Sequence, residues 1–205
     1  MSRLSLISSN PKSNTSSTSN NFLSPTHRVF NWNLKRNNLH YNIDLESSML
    51  SEEAREFFEA EHLVDRFDAW ADFVFVAMGT VGKYMAMPHK DIDSIVDTKD
   101  PTDVLLEWVE HIRTQMIEML GYEVHAIYPQ LPYQQGYSEE EDPFEMLCMD
   151  VLNIVITANE QKGTEKNAEG KVQKPEGFVK PEKQIDNLLK KTLGKNYIPK
   201  FKEGE

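Results

Sequence analysis

The run LVDRFDAWADFVFVAMGTVGKYM, beginning at Leu63, constrains the fold more than any other stretch of this chain. On a helical wheel it is apolar around most of its circumference. It therefore predicts a long helix over residues 63–87 that is enclosed by neighbours, as a buried helix is. Yet Asp65, Asp68 and Asp72 fall together on one face of it. Phe67, Trp70, Phe73, Val74, Phe75 and Val76 surround them, so Asp72 at least is expected to be partly buried. A carboxylate buried without a partner is costly, or else it takes up a proton. The only bases at hand are Arg66 and the more distant Lys83.

The partners of this helix are also predicted to be helices. Ser24-Pro25 reads as an N-cap with proline at the first helical position, opening a short helix that carries Val29, Phe30, Trp32 and Leu34. A second helix is expected over residues 46–60. Asp100-Pro101 and Asp142-Pro143 open two more in the same manner, and these are expected to close on Gly121 and Gly163. A last helix should begin near Pro181 and run through KQIDNLLKKTL. Strand signals are few, and GKVQKPEGFVKP reads as an irregular turn or a small hairpin. The chain is therefore expected to be all-α, a bundle of four or five long helices.

The second predicted helix contains SEEAREFFEA. Glu52, Glu53, Glu56 and Glu59 form a strip beside the apolar face of Leu50, Ala54, Phe57 and Phe58, with only Arg55 among them. Alone, such a strip reads as a solvated helix face. A short turn near Glu61 and His62 would set it against the aspartate face of the next helix. His62 is expected to be a turn residue. Several converging carboxylates stay ionised most simply around a divalent cation, and an oxygen-only donor set selects Mg²⁺, or Mn²⁺, over zinc.

Glu52-Glu53-x-x-Glu56 is followed 12 residues later by Asp68 and then Asp72, in DAWADFVFVAMGT. A third fragment, ANEQKGTEKNAEGKVQKPEGFVKPE, holds Asn159 and Lys162 three apart and then G-K-V-x-K-P. In this order the fragments resemble the all-α nucleotide pyrophosphohydrolases, the MazG and phosphoribosyl-ATP pyrophosphohydrolase-like superfamily, in its phage-type branch. The resemblance implies a MazG-like bundle completed by homodimerisation. It also implies Mg²⁺-dependent cleavage of a nucleoside triphosphate between its α and β phosphates, giving the monophosphate and pyrophosphate. On that pattern Glu53, Glu56, Asp68 and Asp72 are the metal ligands, and Glu52 orients or deprotonates the attacking water. Asn159, Lys162 and Lys174 reach phosphate oxygens. Many members carry an acid where this chain has Ala69, so Asp65 or Asp68 must supply it. Residues 88–141 look like an insertion with its own helix. Phosphoribosyl-ATP or an alarmone is an alternative substrate on the same fold. A non-catalytic acidic interaction module is the alternative from another class.

Charge distribution narrows the partners. The net charge is −11, but residues 1–43 hold five bases and no acid, residues 44–160 hold 26 acids against six bases, and residues 161–205 hold 11 lysines against seven acids. An acidic middle argues against a sequence-independent nucleic-acid binder, which needs a basic face. No apolar run is long enough to span a bilayer. The single cysteine, Cys148, sits in MLCMDVLNIV and reads as a small core residue in a reducing, cytoplasmic setting, bacterial or that of a phage-infected host. Residues 1–23, rich in Ser and Asn, are expected to be a disordered leader, residues 24–193 one domain, and residues 194–205 a flexible basic tail. Trp32 and Phe30 are the aromatic residues that could stack on a base, although core packing is their commoner use.

Overall fold

A computed structural model of the chain describes residues 23–87, 100–129, 142–165 and 172–201. These form six α-helices: α1 (Pro25–Lys35), α2 (Ile43–Glu59), α3 (Leu63–Met85), α4 (Pro101–Ile127), α5 (Pro143–Gln161) and α6 (Glu182–Leu193). A 3₁₀ turn, Gly194–Asn196, follows α6. The all-α expectation holds for the described residues. No helix among them is long and apolar enough to cross a membrane.

The helix starts follow from local chemistry. Ser24 Oγ accepts the His27 N–H at 3.4 Å. Asp100 and Asp142 each accept an N–H two residues on, both at 2.8 Å, and each is followed by proline. Helix α2 begins earlier than expected because Asn42 caps it, accepting from Asp44 and Leu45. His62 stands between α2 and α3 with no side-chain capping bond, as a turn residue.

One expected stop is overruled. Helix α4 does not close on Gly121 but continues to Ile127. Glycine inside a helix costs about 1 kcal/mol, and burying Leu120 and Val124 on either side of it offsets that. Helix α5 does stop before Gly163, capped at Lys162. Helix α6 ends at Gly194, whose φ of +68° is the left-handed geometry that favours glycine.

Helix α3 is the axis, in contact with all five other helices. Phe67 and Phe73 from it, Leu50 and Phe57 from α2, Met116 and Leu120 from α4, Ile156 from α5, and Ile185 and Leu189 from α6 are fully buried together. The region expected as an insertion supplies part of this core through α4. Its flanks, 88–99 and 130–141, lie outside the described residues, as do residues 1–22 of the expected leader. The segment GKVQKPEGFVKP is an irregular turn where it is described, tied to the end of α5 by Gly163 N–H to Gln173 O (3.3 Å) and Gln173 N–H to Glu165 O (2.8 Å). The expected flexible tail is instead held as far as Phe201. The buried Tyr197 hydroxyl donates to Asp186 Oδ1 at 2.7 Å, the Lys200 N–H donates to the same oxygen, and Lys200 Nζ pairs with Asp65 at 2.6 Å.

Candidate carboxylate and lysine site

The turn at residues 60–62 folds α2 back along α3, and the acid faces of the two helices converge. Glu53 on α2 and Asp68 and Asp72 on α3 lie close enough to repel one another. Glu52 and Glu56 stand near Glu53, with Glu52 half-buried and Glu56 exposed. Burial, reinforced by Asp72, Glu56 and Glu52, pushes the Glu53 carboxyl up to about 8. Burial likewise raises Asp68, with Asp72 adding to it, and raises Asp72.

Helix α5 supplies the counter-charge. Lys162, at its C-cap, donates through Nζ to Asn159 Oδ1 at 2.6 Å. Asn159 Nδ2 donates to Val155 O at 3.0 Å and reaches Asp72 Oδ1 at 3.4 Å. Burial lowers the Lys162 ammonium and Asp72 opposes that. Lys174 lies 5.5 Å and Lys162 5.9 Å from the Phe178 ring. Asp68, Asp72, Asn159, Lys162 and Lys174 line one small cavity of about 70 Å³. The α3 aspartates and the Asn159–Lys174 segment therefore share one cavity, and Glu53 of α2 stands near enough to feel Asp72 and Lys162 without lining it.

The structure separates Asp65 from Asp68. Asp65 is paired with Lys200, while Asp68 lines the cavity with its Oδ1 buried and without a hydrogen-bond partner. Glu59 points elsewhere, in an exposed ion pair with Arg55 at 2.8 Å. Arg66, the nearest base in sequence, is turned away. It donates to Ala60 O and pairs with Glu123 on α4.

Sequence reasoning missed one acid of the cavity and the two arginines behind it. Glu182, the first residue of α6, lines the cavity near enough to the aspartates to raise them further, and its Oε2 is buried with no partner. Only its place directly after Pro181 marks it as near the site. Arg28 and Arg36 bolt α1 onto α5. Arg28 meets Glu160 through Nε (3.0 Å) and Nη2 (2.7 Å), and it also donates to Asn153 and Thr157. Arg36 donates to the carbonyls of Trp32, Lys162 and Gly163. The spacing of Arg28, Trp32 and Arg36 at i, i+4 and i+8 was the available signal. Trp32 is buried edge-on to Phe75 at 5.2 Å, gives its Nε1–H to Asn159 O at 2.7 Å, and carries the Arg36 guanidinium 4.2 Å above its ring. It packs into the core and is only 9% exposed. Phe30 is 37% exposed.

The donor chemistry suits a hard divalent cation, because the acids are oxygen donors, repel one another, and include two buried carboxylate oxygens without partners. They are not drawn onto a common point. Among the described residues, no group of three or more His, Cys, Asp or Glu side chains is placed to hold a metal ion. No protein-family model, curated protein or solved structure matches the chain.

Proposed function

We propose that this protein is a Mg²⁺-dependent nucleotide pyrophosphohydrolase. Its reaction would hydrolyse the α–β phosphoanhydride of an NTP or dNTP to the monophosphate and pyrophosphate. One observation carries the reading: Asp68 and Asp72 from α3, with Glu53 of α2 near enough to repel them, line a single cavity with the Asn159–Lys162 pair from α5. A merely solvated acidic strip has no reason to bury Asp68 and Asp72 beside a lysine.

Glu53, Glu56, Asp68 and Asp72 are the residues that would hold Mg²⁺ or Mn²⁺. Such an ion supplies charge neutralisation for the phosphate chain and lowers the pKa of a water. The remaining work falls to this chain. Asn159 fixes Lys162 and Asp72 by hydrogen bonds, so the ammonium is positioned to donate to a phosphate oxygen. Lys174 adds a second cation on the same wall. Glu52 is assigned to orient the water and accept its proton as the oxygen attacks phosphorus and the anhydride bond breaks. The sequence resemblance further implies that the protein works as a homodimer.

The test is pyrophosphate release from a panel of NTPs, dNTPs, phosphoribosyl-ATP and alarmones with Mg²⁺. At least one should be turned over, and Glu53→Gln should lower the rate at least ~100-fold while leaving the far-ultraviolet spectrum unchanged. Full activity in Glu53→Gln would sink the ligand assignment. No turnover across the panel would favour the competing reading, an acidic interaction face, for which the open arrangement of the carboxylates speaks.

A further inference from the structure

The acid cavity, at about 70 Å³, has room for little more than two waters of ~30 Å³ each. It cannot enclose a nucleotide. Beside it, across the last turn of α5, lies a cleft of about 470 Å³ between α1 and residues 160–164. That volume is in the range of ligand sites, roughly 300–1,000 Å³. Lys162 belongs to both spaces. Its ammonium bonds Asn159 in the acid cavity, while its carbonyl is held by Arg36 on the cleft side.

The lining of the cleft is cationic. Arg28, Lys35 and Arg36 face it against one acid, Glu160, whose two oxygens are both taken by Arg28. Arg36 is 8% exposed, and its side-chain hydrogen bonds go to neutral backbone carbonyls. Lys35 is exposed and has no ion-pair partner among the described residues. Trp32 also lines the cleft, but the guanidinium of Arg36 lies 4.2 Å from its ring centroid, where a stacked base would compete with it. Surplus positive charge in a cleft adjoining a phosphate-handling cavity suits the anionic part of the ligand.

We propose that the cleft between α1 and the end of α5 receives the pyrophosphoryl portion of the ligand, the two phosphates remote from the nucleoside. Arg28, Lys35 and Arg36 provide its field. The proposal rests on the pyrophosphohydrolase reading and assigns that site a second compartment.

Lys35→Glu is the chosen variant because Lys35 is exposed, whereas loss of Arg36 would also release α1 from α5. Sodium tripolyphosphate and pyrophosphate are titrated calorimetrically into the full chain without divalent cation. Binding by the parent should weaken about fivefold or more in Lys35→Glu. Lys195→Glu, at an exposed lysine on the turn after α6, should bind as the parent does. No binding by the parent, equal binding by Lys35→Glu, or an equal loss in Lys195→Glu each overturns the proposal. With Mg²⁺ and a substrate, Lys35→Glu should raise KM and spare kcat. A KM rise with a smaller rise in the inhibition constant for pyrophosphate assigns the cleft chiefly to the terminal phosphates of the bound substrate. A parallel rise in the inhibition constant assigns it to the free product as well. Lys35-dependent binding without any hydrolysis keeps the cleft and removes the pyrophosphohydrolase reading. Hydrolysis with KM and affinity indifferent to Lys35→Glu does the reverse.

Discussion

Without a cation, Glu53 keeps its proton into the neutral range because burial and the neighbouring Asp72 and Glu56 oppose its charge. Asp68 is raised by burial and by Asp72 in the same way. The folded state therefore binds more protons than the unfolded chain between the ordinary carboxylate range and about pH 8. The stabilisation is fully present below pH 4 and is lost as pH rises through that window. In EDTA, the thermal midpoint should fall as pH rises from about 5 to about 8, because each raised carboxyl gives up its stabilisation as it loses its proton. Glu53→Gln should flatten the fall, and a midpoint that rises over the same range would contradict the assigned burial. Cys148 behaves as its apolar surroundings dictate, buried and with its thiol pushed up to about 12. At this scale much of the site was legible, since Glu53, Asp68, Asp72, Asn159 and Lys162 stand in recognisable spacings. Glu182 was not, because a single acid after a proline has no spacing to announce it.

Between elements, charge chemistry does more than the apolar pattern suggests. Lys83 of α3 pairs with Glu46 of α2 at 2.7 Å, with the two side chains 4% and 0% exposed. Thr80 Oγ1 lies 2.7 Å from the other oxygen of Glu46. Lys83→Met should cost about 3–5 kcal/mol, since it strands a buried carboxylate. The double variant Glu46→Gln, Lys83→Met should recover much of that in urea unfolding. A Lys83→Met chain as stable as the parent would show the pair to be dispensable. Nothing local in the sequence joins two residues 37 positions apart. The caps on Ser24, Asp100 and Asp142 were legible because a cap depends on its own next three residues. The end expected at Gly121 was not, because tertiary burial beyond it outweighs a glycine.

For the whole molecule, α3 threads through the other five helices and carries the aspartates against α5 and α6. Ligand binding to that native arrangement must stabilise it. Mg²⁺ or Mn²⁺ with a nucleotide should raise the thermal midpoint in proportion to the logarithm of concentration. NaCl of equal ionic strength should not. Equal shifts from both would indicate screening of a solvated acidic face instead of a site. The amino-acid sequence by itself determined that the chain is helical, where most helices begin, and that α3 is central, because periodicity and capping act within a few residues. It also separated the strip of α2 from the aspartates of α3 as two acid faces. Only the tertiary structure decided that Asp65 is occupied by Lys200 and that Arg66 turns to α4. It alone brought Glu182 into the cavity and set a cationic cleft from α1 beside the end of α5. These are relations between residues far apart in the chain. They exist only once burial of the core has fixed which helix faces meet.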